Sequence, residues 1–102
     1  MVSEQLIVGF DTSAAHCAAA LLLGDRVLMA QSDPMARGQA ERLMPMIETM
    51  LTDQGAAWSD LDRIGVGIGP GNFSGIRISV SAARGLALAL KIPAIGVSTF
   101  EA

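Results

Sequence analysis

The sequence predicts an α/β domain built on a mixed five-stranded sheet. Three observations carry this. Two apolar runs near the N-terminus are joined by Gly24-Asp25. A stretch with helical spacing follows. Then comes the series strand, glycine-rich loop, helix, strand.

Gln5 to Asp11 (QLIVGFD) is the first strand. Leu6, Val8 and Phe10 alternate with Ile7, Gly9 and Asp11. Apolar residues on both faces predict a central strand covered on both sides. His16 to Leu23 is the second strand, and Gly24-Asp25 supplies a two-residue turn. Arg26 to Gln31 is the returning strand, which completes an antiparallel meander. Over Gln39 to Gln54, Leu43, Met44, Ile47, Met50 and Leu51 recur at helical spacing, with Gly55 as C-terminal cap. Pro45 either sits in the first turn of a helix that starts near Met44 or kinks a longer one. Arg63 to Gly69 alternates Ile64, Val66 and Ile68 with glycines. A bare glycine face on a strand marks close approach of another backbone or a ligand. After the loop GPGNFSG, a helix capped by Ser74 runs to about Leu90, and Ala94 to Ser98 is the last strand.

Strand–helix–strand units give parallel neighbours and the meander gives antiparallel ones, so the expected spatial order is 3-2-1-4-5. This is the pattern of ribonuclease-H-like folds, shared by actin-like ATPase domains. The chain stops four residues after its last strand, without the covering helix this fold normally supplies, so residues 1–102 are expected to be a fragment.

Composition narrows the functional classes. Of 102 residues, 51% are hydrophobic and 17% charged, which excludes a disordered tail. No uncharged run approaches the ~20 residues of a membrane span. The N-terminus has no basic segment ahead of its apolar run, and Cys17 is the only cysteine, so a cytoplasmic protein is expected. The net charge of −3 argues against direct wrapping of nucleic acid. A mean hydropathy of +0.46 is high for so small a chain and predicts that a partner or a further domain covers part of it.

Few residues offer chemistry. Asp11 ends the central strand, where open α/β sheets handle ligands. It could serve a Mg²⁺-dependent nuclease or phosphotransferase only with further carboxylates, from Glu41 or Glu48; otherwise it caps the turn through Thr12 and Ser13. The loop Gly69-Pro70-Gly71-Asn72-Phe73-Ser74 opens a helix, where backbone N–H groups favour anions. It matches neither a phosphate-binding P-loop nor a nucleophile elbow. His16 is the sole histidine, which excludes a two-histidine metal site. Its neighbour Cys17 points to the opposite sheet face, so no Cys–His pair forms. A peptidase finds no nucleophile–base pair.

The two helices are more informative. On the second, Ser81, Gly85 and Ala89 repeat every four residues, beside Ala83 and Ala87. Arg77, Arg84 and Lys91 repeat every seven, as do Glu41 and Glu48 on the first helix. The second helix is apolar or small over most of its circumference, which predicts burial all round and a partner on its outer side.

The segments IVGFDTS, ERLMPMIETML, IGVGIGPGNFSGIRISVSAARGLA and IPAIGVSTFEA together resemble the N-terminal domain of the TsaB family, also called YeaZ. The resemblance covers nearly the whole chain. It departs at Asn72 and Ser74, where the family usually has serine and threonine. It implies an actin-like ATPase-type fold and a second, related domain. It also implies a non-catalytic role beside TsaD and TsaE in making threonylcarbamoyladenosine on tRNA, which this subunit meets only through the complex. No cofactor or metal is implied, and Asp11, Thr12, Gly69, Gly71 and Ser74 become vestigial nucleotide-site positions. Family members self-associate as dimers and pair with TsaD through the two N-terminal helices. The corresponding face here joins Leu43, Ile47 and Met50 to Ile76, Val80, Ala83 and Ala87, flanked by Arg77 and Arg84.

Overall fold

β1 (Leu6–Asp11) lies between two different kinds of neighbour in the computed structural model, which describes residues 4–12, 15–67 and 73–97. It pairs antiparallel with β2 (His16–Leu23), Val8 opposite Leu21, and parallel with β4 (Arg63–Gly67), Val8 opposite Ile64. β3 (Arg26–Pro34) returns along β2, and β5 (Ala94–Val97) runs parallel to β4. The order β3-β2-β1-β4-β5 is the expected one.

Gly24 has φ of 63° and turns the chain from β2 into β3. The parallel β1–β4 contact is fastened at its start by Asp62. Its N–H donates to the Leu6 carbonyl at 2.7 Å, and its carboxylate accepts the Leu6 N–H at 2.8 Å. This reciprocal pair satisfies backbone groups where the ladder begins.

β3 is longer than expected. Ser32-Asp33-Pro34, past the expected end at Gln31, continues the strand, with Pro34 opposite His16. Proline is tolerated there because β3 is an edge strand and needs no outward N–H bond.

α1 (Gln39–Asp53) starts five residues ahead of Met44, so Pro45 lies inside the helix rather than in its first turn. Pro45 is exposed, and the Glu41 carbonyl it leaves without a donor lies on the water side. The helix ends in a Schellman turn. The Ala56 N–H donates to the Leu51 carbonyl at 2.9 Å and the Gly55 N–H to that of Thr52 at 3.0 Å, with Gly55 at φ of 68°. A short 3-10 turn, η1 (Trp58–Asp60), leads to β4.

α2 (Phe73–Leu90) begins at Phe73, so Ser74 is a helical residue and not the N-cap. Gly69 and Gly71 lie outside the described residues. α2 ends with Lys91 at φ of 58° and the Ile92 N–H on the Ala87 carbonyl at 3.1 Å.

Both helices sit on one face of the sheet, α1 against β2 and α2 against β4. Val8, Phe10, Leu21, Ile64 and Val66 point toward them and meet Leu43, Met46, Ile47, Met50 and Leu51. Ser79 and Ala83, both buried and one turn apart, let α2 lie close on the sheet.

The other face differs from expectation. β1 is not covered on both sides: among the described residues, Gly9, Ala18, Ala20, Ala30, Gly65 and Gly67 line an open trough, with Asp11 at one end. Among the described residues, a Cβ built on Gly65 meets nothing nearer than the Gly9 Cα at 3.9 Å, so none of their backbone covers this face from above. The accessible surface is 6103 Å², about a tenth above the ~5,500 Å² that size scaling gives for this mass.

Candidate functional site

The outer side of the α1–α2 pair combines a groove, an exposed apolar side chain and ordered charge. Ala40 and Met44 of α1 and Arg77, Ile78, Ser81 and Ala82 of α2 line the groove, with Leu43 at its floor. Its volume is about 590 Å³. Ala40, Ser81 and Ala82 contribute short side chains to the groove, and Leu43, Met44, Ile78 and Arg77 longer ones.

This redistributes the residues expected to face a partner. Leu43, Ile47 and Met50 are at most 1% exposed, and Ala83 is 2% exposed. They belong to this chain's own core, because helical spacing marks the apolar stripe, and the sheet claims it first. Val80 and Ala87 are half-buried on the flank of α2, and Arg77 and Arg84 are exposed. The side chain of Ile76 lies outside those described. The residues that do reach outward include Ser81, Gly85, Leu88 and Ala89, so α2 is not buried all round within the chain. Leu88 is 83% exposed. Leu88 is not singled out by the sequence pattern. Its position seven residues from Ser81, on the same side of the helix, is the signal that separates it.

The remaining candidates do not assemble. Asp11 is half-buried, opposite Ala18, and Thr12 is fully buried. Glu41 and Glu48 stand on α1, across the sheet from the trough that Asp11 lines. Among the described residues, no group of three or more His, Cys, Asp or Glu side chains gathers in metal-binding geometry. His16 starts β2 opposite Pro34, while its neighbour Cys17 is fully buried on the helix side. Burial pushes the Cys17 thiol above its ordinary range, against the opposing pull of Arg42. A thiol held neutral in this way is a poor nucleophile.

A polar tie missing from the sequence reading joins α1 to β3. Arg42 Nε donates to Asp33 Oδ2 at 2.8 Å, and Gln31 Nε2 to Asp33 Oδ1 at 3.4 Å. The Arg42 bond, then the Gln31 bond, holds the Asp33 carboxyl below its ordinary range. Among the described residues no helix is long and apolar enough to cross a membrane.

Comparison with known proteins agrees with this architecture. The family described as "TsaD: tRNA N6-adenosine threonylcarbamoyltransferase" matches residues 33–102. The Escherichia coli tRNA threonylcarbamoyladenosine biosynthesis protein TsaB is 38% identical over 91% of this chain and 40% of its own length. TsaB of Buchnera aphidicola is 36% identical over 96% of the chain and 46% of its own length. The chain thus spans less than half the length of these relatives. The solved structure of YeaZ from Pseudomonas aeruginosa superposes with a TM-score of 0.86 at 38% identity, over 92% of this chain and 44% of that one. The fold, the matched family and these relatives converge: the chain belongs to the TsaD-type family and, within it, to its TsaB/YeaZ members.

Proposed function

We propose that this chain serves in the biosynthesis of threonylcarbamoyladenosine on tRNA as a cytoplasmic, non-catalytic docking subunit. Its outer α1–α2 face binds TsaD, and binds a second copy of the chain where TsaD is absent. TsaE joins through that complex, and tRNA is met only there. One observation carries the reading: the helix pair puts an apolar, small-residue groove and the exposed Leu88 on the same side of the molecule. Protein-docking surfaces have this make-up, apolar at the centre and polar at the rim. The names of the relatives supply the process, and nothing in the described residues offers it a reacting group. Among the described residues no group of three or more His, Cys, Asp or Glu side chains gathers around Asp11, so a Mg²⁺-dependent phosphotransferase is the less supported reading.

The test is reconstitution. TsaD-dependent modification of tRNA is measured with TsaE and increasing amounts of this chain. The reading expects stimulation that saturates with chain concentration and is lost in Ser81→Trp, which fills the groove. Stimulation unaffected by Ser81→Trp in a folded variant argues against this face.

A further inference from the structure

The charges of this chain are unevenly placed. All but one of its 10 acidic residues precede Arg63, and the other is Glu101. The stretch from Arg63 to Phe100 therefore holds Arg63, Arg77, Arg84 and Lys91 and no carboxylate side chain, inside a chain of net charge −3. Arg77 and Arg84 are seven residues apart on α2, two helical turns, so they share one strip of the helix and stand about 10 Å apart. Lys91, seven residues further, follows the last helical residue and ends the strip. All three are exposed, and none forms an ion pair with a carboxylate among the described residues. Arg77 stands at the rim of the α1–α2 groove, whereas Arg84 and Lys91 do not line it and continue past it.

A row of cations on an element without a single acid attracts a polyanion. An acidic protein surface fits less well: protein docking sets its charges around an apolar centre, and Arg84 and Lys91 lie beyond the groove that would supply one. Guanidinium groups grip phosphate with two donors at once, and such contacts position a nucleic acid without reading its sequence. We propose that, once the chain is docked in the complex, Arg77, Arg84 and Lys91 hold the phosphate backbone of the RNA. The net charge of −3 keeps the chain alone a weak binder, so the row adds to the grip of the assembly. The inference rests on the reading that the chain serves tRNA modification beside TsaD, and it gives that reading a place where this subunit touches the RNA.

Salt dependence tests it. Binding of fluorescently labelled tRNA to the complex of the chain with TsaD and TsaE is followed by anisotropy over a series of salt concentrations. Sedimentation velocity verifies that each variant enters the complex, and circular dichroism that it folds. Arg77 is left in place because it also borders the groove. Arg84→Gln/Lys91→Gln is expected to bind tRNA at least about tenfold more weakly at low salt, with the slope of log K against log salt reduced by about 1.5. Arg26→Gln/Arg37→Gln removes the same charge from exposed positions on β3 and just after it, and is expected to keep the parent slope. An unchanged slope in Arg84→Gln/Lys91→Gln overturns the proposal. So does an equal drop in both variants, which would reflect net charge alone, and so does exclusion of Arg84→Gln/Lys91→Gln from the complex, which would make the row a protein contact. A parent chain that does not bind TsaD overturns the docking reading instead, and the same comparison of slopes on the chain alone then decides the row.

Discussion

Arg42 Nε sits 2.8 Å from Asp33 Oδ2 and fastens the first helix to the edge strand. The pair is half-exposed, so its value lies in position more than in energy. Its pH dependence has a definite sign. Asp33 has a folded pKa below its ordinary 3.8, so its contribution is present above that value and fades as pH falls through the lowered one. Thermal melts from pH 6 to pH 2 should therefore show a steeper loss of Tm below about pH 4 in the parent than in Asp33→Asn. Equal slopes would remove Asp33 from the acid response.

Lys91 carries a left-handed backbone at the end of α2, where glycine is the usual residue. Lys91→Gly should stabilise the chain by about 1 kcal/mol in urea denaturation, with m unchanged. A loss of stability would mean that the Lys91 side chain makes a contact of greater worth than the strain it imposes.

Gly55 is the converse. It has φ of 68°, and nothing lies within 4 Å of a built Cβ. Gly55→Ala therefore meets no clash, and its expected cost of about 1 kcal/mol is purely that of the backbone conformation. Opposite signs for the changes at positions 55 and 91, on the same denaturation assay, are the expected outcome.

Ile47 and Met44 separate the core from the proposed docking face. Ile47 is fully buried, and Ile47→Ala should cost about 2–5 kcal/mol of stability. Met44 is half-buried at the groove wall, and Met44→Ala should cost less than about 1.5 kcal/mol while weakening TsaD binding. If Met44→Ala destabilises the fold as much as Ile47→Ala, the groove is part of the core rather than a surface.

The strand order was legible because the period-two runs and the Gly24-Asp25 turn leave few ways to connect five strands. Element ends were less legible. The third strand runs past Gln31 to Pro34, because an edge strand has no outward ladder bond for a proline to break. Pro45 leaves two readings open, a first turn or a longer helix that contains it, and the longer helix forms because on the water side of α1 the missing N–H is inexpensive. For the docking face, periodicity found the apolar stripe of α1 but not which way it points. Leu43, Ile47 and Met50 follow the same spacing whether they meet a sheet or a partner, and β2 decides. Leu88 was invisible for the opposite reason: one leucine among many has no signature until its neighbours are placed.

The most direct measurement is a calorimetric titration of TsaD into the purified chain and two folded variants, Ser81→Trp in the groove and Val27→Asp on the opposite side of the sheet. The account predicts that the parent and Val27→Asp bind with equal affinity and that Ser81→Trp binds at least about tenfold more weakly. Equal binding by all three, or loss confined to Val27→Asp, would contradict it.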